Sequence, residues 1–474
     1  MNGTDAIALL PLIVVAGVSV LVMLATAVGR SHAFTLGLTL AGLAAAFRCT
    51  WLASSVEPRP VTALLIIDNY SLFYFRLLIA AVFAVAILTY DYLSKRDLHR
   101  EELYILLLVA TVGAMVLVSS SHFASFFLGL ETLSISLYAM IAYLRMSRPL
   151  EAGIKYLVLA AASAAFLLFG MALVYAELGT MEFARMAQML QGIRNDTLLI
   201  AGMALIITGI GFKLAVVPFH LWTPDVYEGA PVPVTAFIAT VSKGAMFALL
   251  LRYFYSAGAI AERHIVLVFT IVAIGSMIAG NLLALLQDNV KRILAYSSIA
   301  HMGYLLVAFL VGGQFAVEAV TFYLVAYFVT TVGAFGVISV MSTPNGEPEQ
   351  MEDYRGLFWQ RPALAGVFTA MLLSLAGIPA TAGFIGKFYI VAAGASSARW
   401  ALIIILVVSS VIGLFYYLRL VAMMYATPDT KPTTTAPPAT SMGRIVLAAL
   451  TGLLLWLGIY PNPVLHMIQN VFPK

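Results

Sequence analysis

The chain is poor in charge and almost without cysteine. Of its 474 residues only 10% are Asp, Glu, Lys or Arg, while 62% are hydrophobic. A soluble domain carries about 25% charged residues, and a single water-soluble core cannot hide this much apolar side chain. A soluble enzyme and a disordered chain are therefore both excluded. The one cysteine, Cys49, lies inside an apolar run. That rules out an internal disulfide framework and any iron–sulfur or zinc site built on cysteine. The 7 histidines are scattered with no metal-binding spacing. No G-x-G-x-x-G or G-x-x-x-x-G-K-[ST] element occurs, so this chain by itself is expected to bind no nucleotide. A formal net charge of +4 with dispersed basic residues offers no patch for nucleic acid. Polar stretches are short. The longest are Thr343–Arg361 and the Pro/Thr-rich Thr427–Met442, a linker by composition.

What the chain has is long apolar runs. A spanning helix needs about 20 mostly apolar residues. About fourteen runs qualify, near 5–28, 33–55, 70–92, 103–121, 123–144, 152–176, 198–218, 232–255, 265–286, 290–311, 317–341, 362–390, 400–425 and 443–460. The strands of an outer-membrane barrel alternate in segments of about ten and look different. The expected fold is an all-α polytopic membrane protein, one transmembrane domain over 1–474. The first run lacks a small-residue cleavage site and reads as a retained helix, not a signal peptide. One set of loops holds Arg30, Lys95, Arg96, Arg100, Arg145, Arg148, Lys291, Arg292, Arg355, Arg361, Lys431 and Arg444. The opposite set holds Arg59, Arg185, Arg194, Arg252, Arg263, Arg399 and Lys474. The richer set is expected in the cytoplasm, with both termini outside.

Charges also occur where lipid should be. Arg48, Arg76, Lys155, Lys213, Lys243, Lys387 and Arg419 fall inside runs, and Glu131 is the carboxylate in the middle of one. Each ionised group near a helix centre costs roughly 2.5–3.5 kcal/mol, so Glu131 and the four lysines together would cost roughly 12–18 kcal/mol if they faced lipid. They are expected to turn inward, pair, hydrate or shed their charge. A desolvated amine loses its proton more readily and a nearby carboxylate restores it, whereas arginine stays protonated. Four lysines and a glutamate in successive helices therefore suit a proton path; static ion pairs that fix helix packing are the alternative. Arg48, Arg76 and Arg419 lie nearer helix ends and read as snorkelling, structural residues.

Two runs are interrupted. In GFKLAVVPFHLWTPDVYEGAPVPV, Pro218, Pro224, Pro231 and Pro233 follow Lys213; in LSLAGIPATAGFIGKFY, Gly377, Pro379, Gly383 and Gly386 precede Lys387. Prolines at this density break a helix, and the freed carbonyls require a polar cavity at that depth. The breaks fall in the seventh and twelfth runs. Five runs apart is an odd number, which predicts two five-helix repeats inverted in the membrane, a sign of an ion site in secondary transporters. The expected division is three N-terminal helices over 1–100, a first repeat over 101–256, a second, inverted repeat over 264–425 and a C-terminal helix over 442–474. His220 follows the first break. His301 lies on the helix that begins at Lys291 and shares it with Ser297, Ser298 and Tyr304, so both histidines are candidate stepping stones.

The segments GFKLAVVPFHLWTPDVYEGAP, NVKRILAYSSIAHMGYLLVA, YRGLFWQRP and LSLAGIPATAGFIGKFY make the chain resemble, over its whole length, the subunit N family of bacterial NADH–quinone oxidoreductase (complex I). These are antiporter-like, proton-translocating membrane subunits related to Mrp-type cation/proton antiporters. Related subunits typically read WLPDAH where this chain has Trp222-Thr223-Pro224-Asp225-Val226-Tyr227, and the longest carries a lateral C-terminal helix that this chain is expected to lack. By resemblance, Glu131 and Lys213 form a buried pair of the first half-channel. Lys243 is the central lysine, and Lys387 the lysine of the second broken helix near the outer exit. Lys155 and Lys291 belong to the polar axis, with His220 and His301 as links; Lys291 also reads as a positive-inside anchor near the helix end. The resemblance implies a bacterial inner-membrane location, other complex I membrane subunits as partners, including neighbouring antiporter-like ones, and protons as cargo. No cofactor is expected in this chain, with FMN, iron–sulfur clusters and quinone in other subunits. A Mrp-type antiporter subunit, the equivalent subunit of a membrane-bound hydrogenase or formate complex, and a non-conducting scaffold are the rivals.

Overall fold

The computed structural model describes residues 3–56, 59–96, 99–190, 196–256, 263–344, 346–427 and 441–469. The linker expected near 427–442 falls mostly outside these residues, as do Arg194, Lys431 and Lys474.

Thirteen helices are long and apolar enough to cross a membrane: Gly3–Val28, His32–Ser54, Asn69–Ser94, Glu102–Ser119, Phe123–Ile141, Ser147–Leu178, Thr197–Leu214, Val232–Ser256, Arg263–Leu285, Val290–Val311, Gly313–Met341, Trp400–Tyr425 and Met442–Ile459. The run expected as one helix over 362–390 is instead two shorter apolar helices, Pro362–Ala376 and Ala382–Ser396. Together they make the remaining pass. The other departures from the expected spans are at their ends. The seventh pass stops at Leu214, because Ala215 takes the left-handed conformation with φ 60° and Pro218 cannot continue the helix. One pair of two-residue antiparallel strands, Arg59–Pro60 and Ile66–Ile67, interrupts the otherwise helical order in the loop before the third pass.

Every backbone polar group must be satisfied inside lipid, which is why the apolar runs become helices. Their outward faces stay apolar; Ile154, Val158, Phe166 and Phe169 of Ser147–Leu178 are all exposed. The centre is different. Val232–Ser256 is buried along its whole window, and Val290–Val311 and Gly313–Met341 nearly so. Where helices must approach closely, glycine removes the side chain. A Cβ on Gly170 would lie 2.7 Å from the Gly202 carbonyl oxygen, so Ser147–Leu178 and Thr197–Leu214 touch backbone to backbone.

A bidentate pair ties the N-terminal helices to the rest. Asp68 caps Asn69–Ser94 by accepting from the Ser71 N–H at 2.8 Å, and its two oxygens accept from Arg252 Nη1 at 3.0 Å and Nη2 at 2.8 Å. Burial would raise the Asp68 carboxyl, but the Arg252 charge and hydrogen bonds prevail and hold it below the usual carboxylate range. A lowered folded value means that the contribution is present above the unfolded pKa of about 4 and is lost as pH falls through the folded value. Asp68→Asn should lower stability by about 1.5–3 kcal/mol at neutral pH, the size of lost hydrogen bonds to a charged group, read as an earlier thermal transition in mild detergent. The difference from wild type should hold from neutral pH down to about 5 and shrink only in stronger acid.

Candidate functional site

Three lysines sit in the membrane interior with their amines turned inward: Lys213, Lys243 and Lys387 are 3%, 0% and 9% exposed. None forms an ion pair with a carboxylate among the described residues. Each instead meets hydroxyls or freed carbonyls, and each lies beside an irregularity in its helix.

Lys213 ends the seventh pass. The close helix contact at Gly170 and Gly202 brings Tyr156 alongside, and Lys213 Nζ donates to Ser134 Oγ and Tyr156 OH, both at 3.0 Å. After the break the chain resumes as the helix Trp222–Gly229. Trp222 Nε1 donates back to the Phe212 carbonyl at 3.0 Å, and its ring packs on that of Tyr156 with centroids 4.9 Å apart. Glu131 does not contact Lys213 directly. It is half-buried, three residues before Ser134, and acts on the lysine through space. The direct ion pair expected between Glu131 and Lys213 is not formed; the two charges face each other without contact. The Lys213 amine is turned to the serine and tyrosine instead.

Lys243 follows a single π-helical turn, Ile238–Ser242, that sequence reasoning did not foresee. Such turns loosen the backbone and recur at functional positions. Lys243 Nζ donates to Ser298 Oγ at 2.7 Å. Tyr327 OH donates to the same oxygen at 2.8 Å, and Tyr227 OH lies 3.4 Å from it.

Lys387 lies on Ala382–Ser396 and reaches back to the end of Pro362–Ala376. Its Nζ donates to the Leu375 and Ala376 carbonyls at 2.9 and 2.8 Å and to Ser410 Oγ at 2.8 Å. These carbonyls are the ones that the broken helix leaves without partners, at the negative end of its dipole. Gly377 makes the approach possible. Its φ of 85° is left-handed, and a Cβ there would stand 2.7 Å from the Lys387 side chain.

A hydroxyl and imidazole chain fills the space between Lys243 and Lys387. Ser298 and His301 share one face of Val290–Val311. His301 Nδ1 is 2.6 Å from Tyr323 OH and Nε2 is 3.3 Å from Tyr417 OH, which is itself hydrogen-bonded to Ser297. The His301 ring lies 5.5 Å from Tyr327 and 5.4 Å from Tyr304. Lys387 Nζ stands 5.2 Å from the centre of the Tyr304 ring. His301 is thus within electrostatic reach of both lysines.

Three predicted site residues stand apart. His220 is buried in the first break, and its Nδ1 has no hydrogen-bond partner among the described residues. Lys155 is not buried: its side chain is 44% exposed and pairs with Glu151 at 2.8 Å and Asp225 at 3.0 Å. It points outward because Ser147–Leu178 buries a different face. Lys291 is the reverse case. Instead of an anchor at the surface it is fully buried, and Nζ donates to Glu347 Oε2 at 2.7 Å and to the Glu228 and Ala230 carbonyls at 2.8 Å. Arg292 beside it pairs with Asp225 and Glu228, both at 2.8 Å. A cavity of about 250 Å³, lined among others by Tyr92, Arg148, Glu228, Glu347 and Glu349, opens over this cluster. Tyr156, Tyr323, Tyr327, Tyr417, Ser410 and Glu347 were missed in the sequence. A usable signal existed for Tyr323 and Tyr327 alone, polar tips one helical turn apart in an otherwise apolar run.

A bundle of membrane passes with two broken helices and a row of buried amines defines an antiporter-like membrane protein. The chain belongs to the NADH:quinone oxidoreductase/Mrp antiporter family, whose description matches residues 120–413. It is 54% identical to NADH-quinone oxidoreductase subunit N of Nitrosospira multiformis, over 98% of this chain and 96% of that one. It is 49% identical to the subunit of the same name from Methylococcus capsulatus, over 99% and 96%. A chain of respiratory complex I from Thermus thermophilus superposes with a TM-score of 0.82 at 34% identity, covering 96% of this chain and 98% of that one. The fold is shared with a chain of an Mrp complex from Dietzia, at a TM-score of 0.85 and 19% identity over 99% and 97%.

Proposed function

We propose that this chain is a proton-translocating membrane subunit of NADH–quinone oxidoreductase (complex I), held in the bacterial inner membrane among the other membrane subunits. It carries no electrons itself; FMN, iron–sulfur clusters and quinone belong to other subunits of the assembly, and both termini face outside. The observation that supports this reading most is the set of three buried amines, Lys213, Lys243 and Lys387, solvated by hydroxyls and carbonyls with no fixed carboxylate partner among the described residues. A salt-bridged lysine holds its proton firmly, whereas these can exchange one as the local charge changes.

The path runs as follows. Glu131 sets the charge felt by Lys213. A proton leaves Lys213 past Tyr156 and reaches Lys243 by way of water and the Tyr227–Ser298 hydroxyls. It then passes Tyr327 and His301 to Lys387, and so out. Quinone reduction elsewhere in the complex supplies the charge shift. Residues 101–256 and 264–425 act as the two inverted half-channels, meeting at Lys243, and the three N-terminal helices and the C-terminal helix pack against them. Lys155, Lys291 and His220 serve access to the row and not the row itself.

Lys213→Ala in the assembled complex should cut proton translocation through this chain by about a hundredfold, the usual size of a lost proton-transfer group. Quinone reduction with an uncoupler present should stay near wild type. Proton pumping per quinone at the wild-type level would remove Lys213 from the path and favour the scaffold.

A further inference from the structure

Two arginines in the N-terminal helices stand away from the lysine row. Arg48 lies six residues before the end of His32–Ser54, and Arg76 seven residues after the start of Asn69–Ser94. The loop between them joins these ends at one face, so both residues sit about 9–10 Å inside it. Trp51 stands between the two. The Arg48 guanidinium carbon is 5.6 Å and that of Arg76 5.3 Å from the centre of its ring. Arg76 is held in place by Thr50, with Nε donating to Thr50 Oγ1 at 2.9 Å and Nη2 to the Thr50 carbonyl at 3.3 Å. Its Nη1 has no protein acceptor among the described residues. Arg48, Trp51 and Leu52 are exposed. No carboxylate pairs with either guanidinium among the described residues, whereas Arg252, Arg292 and Arg419 each have one.

We propose that Arg48, Trp51 and Arg76 bind the phosphodiester headgroup of an anionic phospholipid. The depth fits, because an arginine side chain rooted one or two turns inside the membrane snorkels up to the phosphate layer. The charge fits as well. Two cations around one ring repel each other where the dielectric is low, and a single anion between them cancels that repulsion. Guanidinium forks match phosphate oxygens in geometry, and an indole at this level is the usual interfacial anchor. Lipid is favoured over a carboxylate of a neighbouring subunit by the surroundings. Gly3–Val28 and His32–Ser54 pack on each other and on Asn69–Ser94 and Glu102–Ser119, away from the second half of the chain. Their free faces at this end carry Ile7, Ile13 and Leu52, apolar side chains suited to acyl tails.

The test uses the whole complex in nanodiscs of phosphatidylcholine. It is doped in turn with phosphatidylglycerol or phosphatidylcholine bearing a photoactivatable group near the headgroup, and the labelled peptides are read by mass spectrometry. The anionic probe should label the segments around Trp51 and Arg76 several-fold more than the neutral one. That excess should vanish in R48Q/R76Q and survive in part in R48K/R76K, while quinone reduction stays at the wild-type level in both. Equal labelling by the two probes in wild type overturns the proposal whether or not the variants assemble. An excess that persists in R48Q/R76Q overturns it too. A cross-link from these segments to another subunit, with no lipid adduct, assigns the cluster to a protein contact instead.

Discussion

Replacing Lys243 with alanine should abolish proton translocation through this chain while leaving the complex assembled. The amine is fully buried and its hydrogen-bond partner is Ser298 Oγ. Removing it does not orphan that oxygen, which Tyr327 still engages at 2.8 Å. Between Lys213 and His301 the row has no other group that takes up a proton as a full charge; serine and tyrosine hydroxyls pass protons but do not store them near neutral pH. The loss should reach about two orders of magnitude or more. Lys243→Arg sharpens the result. Arginine keeps the positive charge and does not release its proton under any physiological condition, so this variant should assemble well and pump as poorly as the alanine form. Proteoliposomes of the purified complex, with lumen acidification read against quinone reduced, make the measurement. A scaffold predicts the opposite order: Lys243→Arg would be silent and Lys243→Ala would fail in assembly alone.

The passes and the breaks were legible because their causes are local. Apolar length makes a helix in lipid, and the run of prolines from Pro218 and the left-handed Gly377 with Pro379 stop one within a few residues. The inward turn of Lys213, Lys243 and Lys387 followed from the cost of exposing them. What each amine meets was not legible. Lys243 and Ser298 are 55 residues apart and Lys213 and Tyr156 57, and composition does not encode such pairings. That Lys155 meets its charge by pairing at an exposed face was not legible, for a specific reason. In a membrane, the lipid-facing and protein-facing sides of a helix are equally apolar, so hydrophobicity could not show that Ser147–Leu178 turns Lys155 toward Glu151 and Asp225. Glu347 was passed over for the converse reason. It lies in a polar loop, where an acidic residue is unremarkable until Lys291 is found buried against it.

That pair carries the second large effect. Lys291 is fully buried and the Glu347 side chain 10% exposed. Glu347 also accepts from the Val232 N–H at 3.2 Å and from Tyr92 OH. One carboxylate therefore joins the start of Val290–Val311, the start of Val232–Ser256 and the end of Asn69–Ser94 to its own loop. Glu347→Ala leaves a buried ammonium without its countercharge and should destabilise the protein by about 3–5 kcal/mol. In detergent, this chain should leave the complex at a clearly lower temperature. Lys291→Met alone should cost less, because Tyr92 and the Val232 N–H still serve the carboxylate. The double variant Lys291→Met/Glu347→Leu should recover most of the stability, since apolar replacement of a buried pair is close to neutral. The two substitutions should thus be strongly non-additive. Function separates the two roles of the pair. If Lys291 serves only packing, the restored double variant pumps like wild type. Access to the lysine row through the cavity beside Glu347 and Glu228 predicts that it assembles, reduces quinone with an uncoupler present, and still pumps poorly, because the ionisable groups at the mouth of the path are gone.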